Sequence, residues 1–395
     1  MTSTTSFIHS ADWQLGKPFS RVREPDRQAA LRSQRLEAID RLAAAARDRQ
    51  ASFIVVAGDI FDCHQPPPQL ISLALGRIGA VGLPVYVIPG NHDYGGPGSL
   101  WESDHFQREN RELAPNLSVL LDAEPVLRDD AILLPCPLLQ RQQLTDPTAW
   151  IRGLDFSSFD DRPRIVLAHG STVNFRGEAD DEDEPTQANF IDLDQLGERL
   201  GELDYVALGD WHGFQQAGEK AWYAGSHETD RFPRSGQLPG QVACVQATRG
   251  GAPQVEPVAT GAIRWVEHGE TFVAADGPGQ LGEALQQLTA GTGVGKAVVK
   301  LRLDGHLGLD GHRELAAMLD TWRARFTDLR EENNVALQPT ADELHALTER
   351  ADDPLISGVA RMLASEIDQG GEAGEVAAMA LILLHHQVGE LEGSR

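Results

Sequence analysis

The chain contains 395 residues, enough for roughly two or three domains with sizeable cores, and its formal net charge is −25. This acidity weighs against a protein that binds nucleic acid unaided, because such proteins usually present a basic face; divalent cations or a basic partner subunit would have to offset it. Neither eighteen consecutive apolar residues nor a signal-peptide pattern occurs, so we expect a cytoplasmic protein without a membrane segment.

The amino-terminal part of the chain predicts strands that alternate with helices. A strand is expected at residues 7–11, a long helix rich in Ala, Arg and Leu at 26–50, and an apolar strand at 53–57. Apolar residues at helical spacing over 70–78 and a further strand at 85–88 repeat the pattern. Such β-α-β order is typical of a parallel sheet with buried strands.

Beyond residue 98 the sequence predicts shorter strands of a second, partly antiparallel sheet. Candidate strands lie at 117–121, 131–134, 242–246, 254–258 and 262–266. The fold class that follows is α/β, with two sheets packed between helices.

Around Gly269 the pattern changes to helix, strand, helix over residues 281–326, which predicts a small α+β unit. Thr340 with Glu343 forms a capping box, so helices should follow to the carboxyl end. Several apolar residues of the last helix are predicted to share one face, which would dock on this chain or on a partner: Val376, Met379, Ala380, Leu383, Leu384, Val388 and Leu391.

Candidate metal ligands follow several of the predicted strands. The strand at 53–57 ends in Gly58 and Asp59, and ligands of open α/β sheets collect at the carboxyl ends of strands. The other segments of this kind end in Asp, Asn or His residues, at 7–12, 85–92, 165–169 and 205–212. Oxygen and imidazole donors at five strand ends indicate a metal centre. The three cysteines have no close spacing, so a Cys-based zinc site is not indicated.

Taken in order, these segments resemble the calcineurin-like metallophosphoesterase family. The motifs are Asp12-Trp13-Gln14, Gly58-Asp59-Ile60-Phe61-Asp62, Gly90-Asn91-His92-Asp93, Ala168-His169-Gly170 and Gly209-Asp210-Trp211-His212-Gly213. Within the family, residues 7–16 and Tyr223-Ala224-Gly225-Ser226 are similar to the SbcD-type exonucleases of DNA double-strand break repair, which work with an SbcC-type SMC ATPase.

The resemblance implies a domain organisation and a chemistry. It implies a two-sheet metallophosphoesterase (nuclease) domain at 1–268, a DNA-capping α+β domain at 269–338, and partner-binding carboxy-terminal helices at 339–395. Phosphodiester hydrolysis needs a hydroxide near neutral pH and stabilisation of charge on the phosphoryl oxygens, which two divalent ions about 4 Å apart can provide.

By the same resemblance, Asp59 bridges two ions. Asp12, Gln14 and His212 would complete the first site, and Asn91, His169 and Asp210 the second. His92 would lie beside the pair as proton donor or transition-state clamp. Four neighbouring residues would hold loops or orient the ligands without binding an ion: His9, Asp62, His64 and Asp93.

Two positions depart from the family pattern, which usually has His where this chain has Gln14 and Asp210. Both changes exchange an imidazole nitrogen for an oxygen. Because oxygen ligands favour harder ions, we expect two Mn²⁺ ions, with Mg²⁺ as the other candidate, and Gln14 as the weakest ligand.

The resulting prediction is a metal-dependent DNA exonuclease, the nuclease subunit of an SbcC/SbcD-like DNA-repair complex. Its partners would be DNA and an SbcC-like SMC ATPase, and a homodimer is also open. Two alternatives remain: a phosphoesterase for small substrates such as a phosphomonoester or cyclic nucleotide, which the acidity favours, and a non-catalytic scaffold subunit of an SMC-type ATPase complex.

Overall fold

A computed structural model describes residues 3–172, 188–197, 199, 201–233, 238–273, 277–350 and 353–393. The chain divides into two compact units, Met1–Ile263 and Arg264–Arg395.

The first sheet of the first unit is mostly parallel. Its central strands pair side by side in parallel, and an antiparallel pair extends one edge. In sheet order the strands are β12 (Gln254–Ala259), β11 (Gln241–Thr248), β1 (Thr4–Ser10), β2 (Phe53–Ala57), β3 (Val85–Ile88) and β4 (Leu117–Val119).

The second sheet of this unit also has a parallel centre, with an antiparallel strand at each edge. In sheet order the strands are β5 (Val126–Leu127), β6 (Ile132–Cys136), β7 (Arg164–His169), β8 (Tyr205–Gly209), β10 (Ala221–Tyr223) and β9 (Gln215–Gln216).

The two sheets pack face to face over a buried apolar core. Phe7 of β1 stacks on Phe53 of β2 with ring centroids 5.0 Å apart, and Tyr205 of β8 meets Phe7 edge-on at 5.5 Å. Alternate residues of the same strands, such as Ile8 and Ile54, belong to a different apolar cluster on the opposite face of the first sheet. This alternation follows from the two-residue period of a strand.

Helices cover the outer faces of both sheets. The first sheet packs against α1 (Pro25–Asp48), α2 (Pro68–Ala80) and α3 (Asp104–Leu113). The second packs against α4 (Leu193–Gly197) and a 3₁₀ turn at Ala149–Gly153. The predicted two-sheet α/β sandwich flanked by helices is therefore confirmed.

The second unit begins with a strand that the sequence pattern assigned to the first. The strand β13 (Arg264–Phe272) pairs in parallel with β14 (Ala297–Leu307) over nine residue pairs, from Arg264–Ala297 to Phe272–Gly305. The predicted strand at 262–266 therefore belongs to a third sheet, and Gly269 lies inside β13, not at a boundary. A run of strand residues does not reveal which sheet will satisfy its hydrogen bonds, because the pairing partner lies far along the chain.

The third sheet of the protein is entirely parallel, and helices cover it. Two further strands pair with β14, and the apolar core contains residues of both strands and helices. The remaining elements of this sheet layer are β15 (Asp328–Asn333), β16 (Ala336–Leu337), α5 (Gly279–Leu288) and α6 (Leu309–Arg325).

Three carboxy-terminal helices complete the second unit: α7 (Ala341–Thr348), α8 (Pro354–Gln369) and α9 (Gly371–Gly393). The capping box of Thr340 and Glu343 is confirmed at the start of α7. Leu381 of α9 is fully buried with residues of α6, α7 and α8. No helix in the described ranges is long and apolar enough to cross a membrane.

The apolar residues predicted to share one face of α9 differ in how far they are buried. Val388 is buried, whereas Val376, Met379 and Leu383 are 61%, 66% and 66% exposed. The buried residues of α9 pack within its own unit. Val376, Met379 and Leu383 form an apolar stripe that is exposed to solvent. The side chain of Leu391 lies outside the described residues.

Candidate metal centre

The carboxyl ends of strands from both sheets bring three metal-binding side chains together. Asp12 follows β1, Asp59 follows β2, and His169 ends β7. One donor atom from each of these residues lies within 4.8 Å of the other two, and all three side chains are buried. The junction of the two sheets therefore presents two carboxylates and one imidazole to a common point.

Two more predicted ligands lie against this group. Asn91 Oδ1 is 2.8 Å from His169 Nε2, and Asp210 Oδ1 is 3.9 Å from the same nitrogen. The backbone N–H of Asp210 donates to both carboxylate oxygens of Asp12, at 3.1 and 3.2 Å. The structure thus brings together the side chains expected from β1, β2, β3, β7 and β8.

The ring of His169 shows how the site can accept a metal. Its Nδ1 lies 2.8 Å from the carbonyl of Ala57, which can only accept, so Nδ1 carries a proton. Its Nε2 lies 2.8 Å from Asn91 Oδ1, to which it can donate when it is protonated. Burial lowers the pKa of His169, but Asp59, Asp12 and Asp210 outweigh burial and raise it to about 9. A metal ion would replace the Nε2 proton and find an imidazole lone pair beside an amide oxygen.

The carboxylates confirm that the site is short of positive charge. Burial raises the pKa of Asp12, and burial also raises that of Asp210 to about 6. Burial raises the pKa of Asp59 too, but His169 and His92 outweigh it and hold that pKa below its usual value. Among the described residues no Lys or Arg forms an ion pair with Asp12 or Asp59. This donor set therefore fits a divalent cation.

The loops that carry these ligands hold strained backbone. Among the described residues that are not glycine, positive φ angles occur at Asp12 (52°), Gln14 (38°), Asp59 (56°) and Asp210 (101°) and at three positions outside the ligand set. Each such residue costs on the order of 1–3 kcal/mol. A Cβ atom at Gly90 would lie 2.1 Å from Asp59 Oδ1, so only glycine allows this approach. The fold maintains this strain where the ligands converge.

His92 is positioned by Asp59 and by the loop after β2. Its backbone N–H donates to Asp59 Oδ1 at 2.9 Å, and its Nδ1 lies 2.7 Å from the carbonyl of Asp62. That carbonyl only accepts, so Nδ1 carries a proton and Nε2 is turned toward the site, 3.9 Å from Asp59 Oδ2. The side chain remains 18% exposed, so a substrate can reach it.

The remaining predicted ligands, Gln14 and His212, lie in a second cluster around Asp230. His212 Nδ1 is 2.9 Å from Asp230 Oδ2. The Nζ of Lys17 is 2.8 Å from Gln14 Oε1 and 3.0 Å from Asp230 Oδ2. The oxygen by which Gln14 would bind an ion is therefore already engaged by an ammonium group, whereas Asp230 orients the ring of His212.

The four residues predicted to support the ligands have different surroundings. Asp93 accepts from the backbone of Gly90 at 2.8 Å and of Phe61 at 3.1 Å, and so joins the loops after β2 and β3. Asp62 holds His92 through its carbonyl. His64 stacks on Tyr94 at 5.2 Å. His9 pairs with the hydroxyl of Tyr205 at 3.0 Å, and burial lowers its pKa to about 3.

Sequence reasoning missed Arg35, a fully buried arginine of α1. Its guanidinium donates to the carbonyls of Asp12, Trp13 and Glu228 at 2.9, 2.8 and 3.0 Å and to Ser226 Oγ at 2.9 Å. It ties the ligand-bearing loop after β1 to residues 226–228. A signal was present, because Arg35 lies in the buried stripe of Leu31, Ala38, Ile39 and Leu42.

Asp230 was missed as well. It follows the Tyr-Ala-Gly-Ser motif within the segment His227-Glu228-Thr229-Asp230, whose side chains are all buried. Consecutive polar residues are usually exposed, and the sequence contains no periodicity that would reveal their burial. The proximity of this polar run to a recognised motif was the available signal.

Comparison with known proteins identifies the family. The family model described as calcineurin-like phosphoesterase matches residues 5–239, which is more than half of the chain and includes every predicted ligand. The chain belongs to this family, and the resemblance seen in the motifs is confirmed.

Other known proteins are similar to the chain at lower sequence identity. Two curated relatives, from Escherichia coli K12 and Escherichia coli O157:H7, are each described as the SbcD component of the nuclease SbcCD. Each is 26% identical over 252 residues, covering 55% of this chain and 59% of the relative. The chain thus matches less than two thirds of their length. A solved dimetal phosphatase from Danio rerio is 12% identical with a TM-score of 0.36, covering 64% of this chain and 98% of that one.

A first prediction concerns Arg35. Its replacement by Met should lower the free energy of unfolding by about 3–5 kcal/mol, because buried carbonyls of Asp12, Trp13 and Glu228 lose their donor. Arg32→Met, on the same helix but at a partly exposed position that contacts Pro18, should change it by less than about 0.5 kcal/mol. Urea denaturation of the full chain measures both. Equal stabilities of the two variants would show that Arg35 does not hold the site together.

Proposed function

We propose that the protein is a two-metal phosphodiesterase that hydrolyses DNA as the nuclease subunit of an SbcC/SbcD-like repair complex. The observation that carries the proposal is the buried convergence of Asp12, Asp59 and His169 at the junction of the two sheets. Membership of a metal-dependent phosphoesterase family and distant similarity to the SbcD nucleases support it.

In this proposal Asp59 bridges the two ions. Its contacts support that role, because its carboxylate lies between His169 Nε2 at 3.6 Å and His92 Nε2 at 3.9 Å. The first ion would take Asp12, Gln14 and His212, and the second Asn91, His169 and Asp210. When bound, such ions convert water into a nucleophile near neutral pH and stabilise charge on the phosphoryl oxygens.

His92 is proposed to act on the reacting phosphate, since its Nδ1 is held by Asp62 and leaves Nε2 facing the site. An imidazole in that position stabilises developing charge or protonates the leaving oxygen. The oxygen-rich donor set favours Mn²⁺, with Mg²⁺ as the second choice, because carboxylate and amide oxygens suit hard ions.

The second unit is proposed to serve assembly. The part of this unit from β13 to β16 would cap DNA, and the helices of 339–395 would bind an SbcC-like ATPase. The exposed stripe of Val376, Met379 and Leu383 supports a partner on α9. A basic partner would also offset the net charge of −25. The complex would work in the cytoplasm, and a homodimer of this chain is also proposed.

A second candidate, supported by the acidity of the chain, is a phosphoesterase for small substrates. A mononucleotide or cyclic nucleotide carries few charges, so an acidic surface repels it less than it repels DNA. Both candidate functions use the same metal centre, and they differ in the substrate that binds there, a small phosphoester or DNA.

A second prediction tests the metal centre and the function together. Asp59→Asn should weaken Mn²⁺ binding at both sites, by more than about 100-fold, and abolish cleavage of linear DNA, because an amide replaces the bridging carboxylate. Asp210→Asn should weaken mainly one site. Calorimetric Mn²⁺ titration and cleavage are measured on the same preparation.

The matched control is Asp204→Asn, because Asp204 is another fully buried carboxylate of the first unit, which accepts from the backbone of Arg164 and Gly250. It should lose stability but keep Mn²⁺. Hydrolysis of mononucleotides without DNA would favour the second candidate. Unchanged Mn²⁺ binding in Asp59→Asn would refute the bridge, and no turnover of any phosphoester by the wild type would refute both functions.

A third prediction separates catalysis from metal binding. His92→Asn should leave Mn²⁺ content and DNA affinity nearly unchanged while the cleavage rate falls by about 10²-fold or more. His105→Asn, at a partly exposed position of α3, is the control. If His92 only braces its loop, the variant will have a lower melting temperature with normal cleavage, and the catalytic role is wrong.

A fourth prediction concerns assembly. Met379→Lys and Leu383→Lys should each raise the Kd for an SbcC-like ATPase by about 30-fold or more, since a charge enters an apolar interface. Small phosphodiesters should still be hydrolysed. Leu127→Lys changes a similarly exposed leucine of the first unit and should leave the Kd unchanged. ATPase binding that survives both α9 variants would exclude this stripe as the docking surface.

A further inference from the structure

Two aromatic side chains stack on each other beside the loops that position His92. The ring centroids of His64 and Tyr94 are 5.2 Å apart, and the ring planes are inclined by 17°. His64 lies two residues after Asp62, whose carbonyl holds the ring of His92, and Tyr94 lies two residues after His92 itself. Because two residues span at most about 7 Å, the stacked pair is a neighbour of the proposed catalytic imidazole.

The polar edges of this pair face solvent. Both side chains are half-buried, and neither belongs to the apolar clusters that anchor the two sheets. Among the described residues, the Tyr94 hydroxyl and the ring nitrogens of His64 have no hydrogen-bond partner, and none of these atoms is buried. Since a buried tyrosine usually pairs its hydroxyl with a protein group, this pair differs from a core contact.

The backbone on either side of Tyr94 is fixed. The carboxylate of Asp93 joins the loops after β2 and β3, and its carbonyl accepts from the indole N–H of Trp101. The N–H of Gly95 donates to the carbonyl of Leu138 at 2.8 Å. A ring on such a loop loses little conformational freedom when a ligand packs against it, so the pair is preorganised for binding.

A contact between loops is the simplest role for the pair. Two stacked rings contribute about 0.5–1.5 kcal/mol beyond the area they bury, and His64 and Tyr94 follow different strands of the first sheet. The same two loops are already joined by Asp93, which accepts from the backbone of Phe61 in one and of Gly90 in the other. Joining the loops therefore does not account for two solvent-facing rings beside the site.

The chemistry of the pair suits an unpaired nucleobase. Every base has a π-face that stacks on an aromatic ring, and base–aromatic stacking contributes roughly 1–3 kcal/mol. This contribution does not depend on charge, which matters in a chain of net charge −25 that repels the phosphates of its substrate. The hydroxyl of Tyr94 and the ring nitrogens of His64 can also exchange hydrogen bonds with the edge of a base.

We propose that Tyr94 and His64 form a stacking surface for an unpaired nucleobase of the substrate, next to the phosphate on which His92 acts. This inference rests on the proposed function and deepens it, because it assigns to the substrate an unpaired base in addition to a phosphoester. The pair binds the base and takes no part in metal binding or proton transfer.

The test compares two single-stranded oligonucleotides of equal length, one of thymidines and one of abasic sugars. Both have phosphorothioate linkages, which resist hydrolysis, and both carry the same charge, so an acidic chain repels them equally. The full chain loaded with Mn²⁺ should bind the thymidine oligonucleotide more tightly. Tyr94→Ala and His64→Ala should each raise its Kd about 5- to 100-fold, the effect of losing one stacked base, and leave the Kd for the abasic oligonucleotide unchanged. Tyr94→Phe, which keeps the ring, should retain most of the affinity. Fluorescence anisotropy measures each Kd.

The matched control is Phe159→Ala. Phe159 is a half-buried ring that contacts Phe156 edge-on and precedes β7, whose other end carries His169. This variant should bind both oligonucleotides as the wild type does.

Three results would overturn the proposal: a wild type that does not distinguish the two oligonucleotides, Tyr94→Ala and His64→Ala variants that weaken the binding of both to the same extent, or a Tyr94→Phe variant that binds as poorly as Tyr94→Ala. Base-dependent binding by a wild type that hydrolyses no phosphodiester in Mn²⁺ would support the stacking surface and refute only the proposed nuclease.

Discussion

The structure depends on the burial of like charges where two sheets meet. Asp12 and Asp59 are buried beside His169, Asp210 lies at the exposed edge of the group, and one imidazole ring cannot balance the charge of all three carboxylates. The sandwich tolerates this arrangement because the strands are anchored by an apolar core on both faces of the first sheet. A divalent cation would balance the charge of these carboxylates. The same carboxylates that lower the stability of the fold at this edge are therefore the groups that could bind a metal ion.

The part of this arrangement that depends on local sequence could be predicted. Each strand that contributes a ligand is an apolar run followed by Asp, Asn or His, and the parallel order of β1, β2 and β3 brings those ends to one edge. The supporting contacts could not be derived in the same way. Arg35 and Glu228 meet across 193 positions of the chain, and the pairing of β13 with β14 was hidden by a strand pattern that fits either sheet. Such contacts depend on tertiary packing, which no local pattern encodes.

A chain with a negative net charge can bind a negatively charged phosphoester if positive charges lie at the binding site. Metal ions would balance the buried carboxylates, and Lys17 and Arg231 each form an ion pair with Asp230. Asp230 therefore links two tasks, since it orients His212 and positions two cations. Under the proposed function the rest of the surface can remain acidic, because the ions and a partner subunit would supply the attraction to DNA.

The central claim is that Asp59 binds two divalent cations at the sheet junction, one together with Asp12 and the other together with His169. Anomalous diffraction at the manganese edge, from crystals of the full chain grown with Mn²⁺, tests it most directly. The account predicts two anomalous peaks, each within about 2.0–2.3 Å of Asp59, one coordinated by Asp12 and the other by His169. A manganese peak elsewhere on the chain, or none at this junction in saturating Mn²⁺, would contradict it.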